Sequence, residues 1–205
     1  MGAENLCFVS RLGMRTEAGR ELAAELQANS VTVKAYECNA VHTTQLQQTL
    51  SRRCQEMPPI RGVLQCAMVL RNCTFGNMDF TQWTEAAWPK IQASWNIQSL
   101  LHDNEIDFFI MLASFTGYFG NAGQTNYGAG CTFQDALAHY RHSEGLPAVS
   151  LDLGIIHDVG VLAETNMTDN LRDRTRNLGI REQQLQDLIR IAIQGQITAA
   201  GVVEA

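Results

Sequence analysis

Two hydroxyl side chains stand where carbonyl chemistry needs them. Ser114 closes the apolar run Phe108 to Ala113, and Tyr127 follows 13 residues later at the start of a helix-period segment. A carbonyl oxygen gains negative charge as hydride reaches its carbon, so one hydroxyl should donate a hydrogen bond while another delivers a proton. A phenol does this poorly at neutral pH unless it is tuned. A lysine ammonium about 4 Å away, at an effective dielectric near 20, stabilises the phenolate by roughly 4 kcal/mol, about three pH units, bringing about 10 down to about 7. Serine, tyrosine and lysine together therefore suggest carbonyl reduction. Competing chemistries lack their residues: Leu112-Ala113-Ser114-Phe115-Thr116 has neither glycine of a hydrolase elbow, and the five histidines show no metal-ligand spacing.

The elements that must position these groups alternate along the chain. Leu6 to Ser10 reads as a strand, followed by a helical face with Ala18, Leu22 and Leu26. Val31 to Cys38 is β-branched and alternating, and Leu46, Leu50, Cys54 and Met57 carry a helical stripe to the turn at Pro58-Pro59. Gly62 to Leu70, Ile106 to Ser114 and Ala148 to Ile155 read as strands buried on both faces, as in a parallel sheet. Trp83, Ala87, Ile91 and Trp95 form a stripe in which Pro89 kinks the helix or restarts it at its first turn. Gln124 to Arg141 is expected to be a helix with Phe133, Leu137 and Tyr140 inward. Beyond residue 156 the pattern predicts a polar flap from Asp158 to Arg176, a helix from Glu182 to Ile193 and a short strand from Gln196 to Ala199. This order describes an α/β doubly wound parallel sheet whose ligands lie beyond the carboxyl ends of its strands.

Composition bounds the function classes. A chain of 205 residues is expected to be one domain spanning 1–205. Fifteen basic against 21 acidic residues give a net charge of −6, which repels a phosphate backbone and argues against nucleic acid. The longest apolar run has six residues, far short of the roughly 20 that span a bilayer, so no membrane partner is expected. Six cysteines without C-x-x-C spacing read as buried reduced thiols, pointing to a cytoplasmic location.

Four runs carry a more specific resemblance: MPPIRGVLQCAMVLRN, WPKIQASWNIQSLL, DFFIMLASFTGYFGNAGQTNYGAGCTFQDALAHYR and LPAVSLDLG. In order and without large gaps, they resemble the ketoreductase domain of fungal highly reducing polyketide synthases, in the short-chain dehydrogenase/reductase superfamily. The resemblance runs from about residue 5 to about 199. It implies a Rossmann-type fold and an NADPH-dependent reduction of a β-ketoacyl thioester, carried on an acyl carrier protein, to the β-hydroxyacyl product. The other polyketide synthase domains would be its partners.

By this resemblance Ser114 polarises the ketone, Tyr127 donates the proton, and Lys90 lowers the phenol's pKa and helps hold the ribose. Cys131, four residues after the tyrosine, replaces the usual asparagine, and a thiol is a weak hydrogen-bond partner for a proton relay. Cofactor binding is implied for Ser10, Arg11, Asn39, Ala67, Lys90 and Tyr127. Arg11, just after the first strand, would meet the 2′-phosphate with its guanidinium fork. Asn39 replaces a usual aspartate near the adenine.

Resembled domains open with a strand and a glycine-rich turn that cradles the pyrophosphate, and no such segment precedes Leu6. Gly117 to Gly123 follows the Ser114 strand instead and reads as an active-site loop. The expectation is therefore an N-terminally truncated domain lacking its first strand, aggregation-prone and weak or inactive by itself. The rival reading is a truncated or degenerate noncatalytic remnant.

Overall fold

The computed structural model describes residues 3–102, 104–159 and 179–203. The first elements are β1 (Asn5–Ser10), α1 (Glu17–Ala28), β2 (Thr32–Glu37), α2 (Thr43–Glu56), β3 (Gly62–Gln65) and α3 (Phe80–Ala87). They are followed by α4 (Ile91–Leu101), β4 (Phe108–Ser114), α5 (Thr116–Phe119), α6 (Thr125–Ser143), β5 (Val149–Leu153) and α7 (Glu182–Val203). A single 3-10 turn, Phe75–Asn77, precedes α3. The chain divides into two compact units, Met1–Ile60 with Gln92–Asn104, and Arg61–Ile91 with Glu105–Ala205.

In the first unit β1 and β2 pair in parallel, Leu6 opposite Val33 and Ser10 opposite Glu37. Val33 and Tyr36, three apart along β2 and so on its opposite faces, are both buried, as are Ala23 of α1 and Leu46 of α2. Thr16 caps α1, its hydroxyl accepting from the Gly19 amide at 3.2 Å. Asn96 of α4 is buried because its amide has work there: it donates to the carbonyls of Ala40 (2.8 Å) and Val41 (2.9 Å) and accepts from Thr43 Oγ1 at 2.9 Å.

The second unit is a parallel three-stranded sheet in the order β3-β4-β5, with Val63 opposite Phe109 and Leu112 opposite Leu151. The middle strand is the most buried: Phe109, Ile110 and Met111 expose nothing. Among the described residues β1 pairs only with β2, and β3 only with β4. The expected α/β class with parallel strands is thus observed.

Several local expectations are corrected. The strand predicted over Gly62 to Leu70 stops at Gln65, whose buried side chain turns the backbone out of the ladder. Its Nε2 donates to the Pro89 carbonyl at 2.7 Å, and its Oε1 accepts from the Ala67 amide at 2.6 Å. Pro89 separates α3 from α4, the restart option rather than a kink. The strand expected over Gln196 to Ala199 is instead part of α7. Gln196 explains why: its Nε2 donates one turn back to the Ala192 carbonyl, while its Oε1 accepts from the Phe109 amide at the start of β4. Tyr140, expected inward, is exposed; the buried face of α6 holds Tyr127, Cys131, Gln134, Ala138 and Arg141. The cysteines are all free, but only Cys38 and Cys131 are buried, while Cys54 and Cys66 are exposed. Residues 160–176 of the expected flap lie outside the described residues.

Candidate active site

Four of the residues singled out above meet in the second unit. Ser114 ends β4, and its Oγ accepts from the Thr116 amide at 3.2 Å as the chain turns into α5. Tyr127 is the third residue of α6, placed by Asn126. That asparagine is fully buried; its Oδ1 accepts from the Tyr127 amide at 2.8 Å, and its Nδ2 donates to the carbonyls of Arg71 and Gln82 at 3.0 Å each. One side chain thus ties the start of α6 to α3 and to the chain after β3. The Asp79–Gln82 capping box fixes the start of α3 in turn.

Small residues let the elements close on the tyrosine. A Cβ at Gly117 would lie 2.8 Å from Cys131 Cβ and 3.1 Å from the Thr132 amide, so α5 approaches α6 at backbone distance. Ala113, Tyr127 and Cys131 form one buried cluster, with Met68 and Leu70 packed against it. Within it the Cys131 and Ser114 side chains are near enough to the Tyr127 phenol to bear on its titration.

Lys90, immediately before α4, is 1% exposed. Its Nζ donates to the Leu112 carbonyl at 2.6 Å and to Gln134 Oε1 at 3.1 Å, and lies 5.2 Å from the centre of the Tyr127 ring. This is a cation–π contact. Burial pushes the Lys90 ammonium below its ordinary value, against the opposing pull of Cys131, Cys66, Asp135 and Asp152. Burial also pushes the Tyr127 phenol up, and Cys131 adds to the rise, while Ser114 opposes it. The value near 7 expected for the phenol is therefore corrected for this state. Lys90 faces the ring and spends two donors on neutral carbonyls, so desolvation of the phenolate outweighs its attraction.

The other expected binding residues divide between the units. Ala67 lies in the second, in the turn held by Gln65. Ser10, Arg11 and Asn39 lie in the first. Ser10 Oγ accepts from the Gly13 amide at 2.9 Å and Asn39 Oδ1 from the Val41 amide at 3.3 Å, so both shape their own loops. Arg11 is exposed, whereas nearby Arg15 is spent on Glu37 at 2.7 Å.

Sequence reasoning missed Asn126, Gln134 and Arg141, three polar residues on the buried face of α6. Arg141 lies with its guanidinium 4.3 Å from the centre of the Phe109 ring and donates to the Pro147 carbonyl at 3.0 Å. A usable signal existed: residues 127, 131, 134, 138 and 141 follow a 4-3-4-3 spacing, so the polar members shared a face with Tyr127.

Known proteins resemble this arrangement closely. The KR domain family matches residues 1–158. The highly reducing polyketide synthase dmxL2 of Cryptosporiopsis sp. is 44% identical over 199 residues, covering 97% of this chain and 8% of that protein. The reducing polyketide synthase hmp8 of Hypomyces subiculosus is 41% identical over 201 residues, 98% of this chain and 9% of that protein. The chain thus spans under a tenth of these two relatives. A solved A1-type ketoreductase superposes with a TM-score of 0.84 at 28% identity, covering 94% of this chain and 40% of the other. A solved A-type ketoreductase from a modular polyketide synthase gives 0.83 at 27% identity, covering 94% and 41%. Together with the Ser114, Tyr127 and Lys90 geometry, these matches show that the chain belongs to the ketoreductase (KR) domain family of polyketide synthases.

Proposed function

We propose that this chain reduces the β-ketone of an acyl thioester, borne on an acyl carrier protein, to the β-hydroxyl with NADPH, in company with other domains of a polyketide synthase. The observation that carries this reading is the convergence on one phenol: the Lys90 ammonium 5.2 Å from the Tyr127 ring, with Ser114 at the end of β4 near enough to bear on its titration. A nicotinamide cofactor, when bound, would supply the hydride for the carbonyl carbon. Ser114 donates a hydrogen bond to the carbonyl oxygen, and Tyr127 Oη releases its proton there, giving the hydroxyl. Lys90 stabilises the phenolate left behind. Its ammonium has three donors, two of them committed, which leaves one to hold a ribose hydroxyl.

Residues of each unit, taken separately, suit parts of this cofactor. Arg11 is an exposed guanidinium that pairs with no carboxylate among the described residues, which suits a 2′-phosphate. Asn39 supplies hydrogen-bonding capacity near the adenine, and Ser10 and Ala67 contribute loop backbone. The setting is cytoplasmic; among the described residues no helix is long and apolar enough to cross a membrane. Cys131 favours a second reading, a noncatalytic remnant of such a domain, because a thiol relays protons poorly.

Two substitutions test the assignment. Tyr127→Phe should abolish reduction of a β-keto thioester while leaving cofactor affinity nearly intact. Arg11→Ala should weaken NADPH binding much more than NADH binding. Near-parental turnover by Tyr127→Phe would sink the mechanism, and equal losses for the two cofactors would sink the NADPH assignment.

A further inference from the structure

The reach of Lys90 is set by α6, and by two residues that no catalytic role accounts for. A Cβ on residue 130 would lie 2.9 Å from Lys90 Cβ, 3.2 Å from its Cδ and 3.4 Å from the Ala87 carbonyl oxygen. The lysine stem therefore lies against helix backbone at Gly130. Glycine inside a helix costs about 1 kcal/mol relative to alanine, so the space it opens has to be useful. One turn later the stem ends at Gln134, which is fully buried and accepts from Nζ at 3.1 Å.

We propose that Gly130 and Gln134 are positioning residues: Gly130 forms the channel for the Lys90 stem, and Gln134 latches the ammonium through a neutral carbonyl. The inference rests on the roles given above to Lys90 and Tyr127. Buried ammonium groups are ordinarily paired with carboxylates, which cancel their charge. Here both acceptors, Gln134 Oε1 and the Leu112 carbonyl, are neutral. The full positive charge consequently stays beside the Tyr127 ring.

The groups facing Lys90 keep it so. Cys66 lies after β3, Cys131 and Asp135 on α6, and Asp152 on β5. Burial pushes the Cys131 thiol up and so toward its neutral form. Asp135 accepts from Ser150 Oγ at 2.5 Å. Burial, and then Asp135, push the Asp152 carboxyl up, and among the described residues its Oδ1 has no hydrogen-bond partner.

The chain contains only two lysines, Lys34 and Lys90. Carbon-13 NMR of lysine labelled at Cε in the full chain therefore resolves the Lys90 titration, with Lys34→Arg assigning the signals. Gln134→Glu, nearly isosteric, should raise the Lys90 titration by at least about one pH unit, because it places a carboxylate at the latch. Gln134→Leu should lower it by removing an acceptor. Turnover of a β-keto thioester should fall about tenfold or more in both, while Gly130→Ala displaces the Lys90 Cε resonance. A Lys90 titration that coincides in the parent, Gln134→Glu and Gln134→Leu overturns the latch. Failure of the ketoreductase reading is recognised separately, by turnover surviving in Tyr127→Phe, and leaves the NMR test in force.

Discussion

Replacing Asn126 by alanine should cost much of the stability of the second unit, although the residue touches no reacting atom. The side chain is fully buried and makes three hydrogen bonds: two donated to Arg71 and Gln82 carbonyls at 3.0 Å and one accepted from the Tyr127 amide at 2.8 Å. At about 1 kcal/mol each, their loss costs about 3 kcal/mol, and leaving the buried Tyr127 amide without an acceptor adds up to roughly 2 more. Against a domain stability of about 5–15 kcal/mol, that is a large fraction. With a urea m-value near 2 kcal/mol/M, the midpoint should fall by about 1.5–2.5 M in a denaturation followed by circular dichroism. Asn126→Asp keeps the acceptor for the Tyr127 amide but loses both donors and sets a carboxylate against two carbonyl oxygens. Its loss should be at least as large. Midpoint shifts below about 0.5 M in both variants would refute the claim that this side chain anchors the start of α6.

The first unit should lose stability in acid through Glu56, which accepts from Arg52 at 2.8 Å and Tyr36 at 2.9 Å and pairs with Lys34 at 3.5 Å. The hydrogen bonds from Arg52 and Tyr36 hold its carboxyl down at about 2 against an ordinary 4.5. A lowered folded value means that this contribution is present above pH 4.5 and disappears as pH falls toward about 2. Thermal melts across that window should show a shallower slope in Glu56→Gln than in the parent, and identical slopes would contradict the assignment. Separately, Cys131→Asn should raise turnover about tenfold, the scale of one hydrogen bond strengthened by about 1.4 kcal/mol, if a relay from Tyr127 limits the rate. Steady-state kinetics at saturating cofactor checks it, and an unchanged rate removes the thiol as the weak link.

The alternation of strands and helices was legible in the sequence because each element carries its own period. β2, β4 and β5 lie within the predicted runs, β1 starts one residue before its run, and Pro89 divides α3 from α4 because its ring has no N–H to continue the helix. The candidate site was legible in the same local way: Ser114 had to end a buried strand and Tyr127 had to begin a helix. What stayed hidden depends on side chains that leave their own element. Gln65 ends β3 by bonding the Pro89 carbonyl, and Gln196 keeps α7 helical while serving β4, contacts made across 24 and 87 residues that no local pattern records. A polar residue also reads as solvated until a partner inside the fold satisfies it. For Asn126, Gln134 and Arg141 those partners come from other parts of the fold. The residue types and their local periods therefore determined which groups could do the chemistry. Tertiary packing decided how Lys90 is held, because hydrogen bonds to the Leu112 carbonyl and Gln134 exist only once β4 and α6 have closed around it.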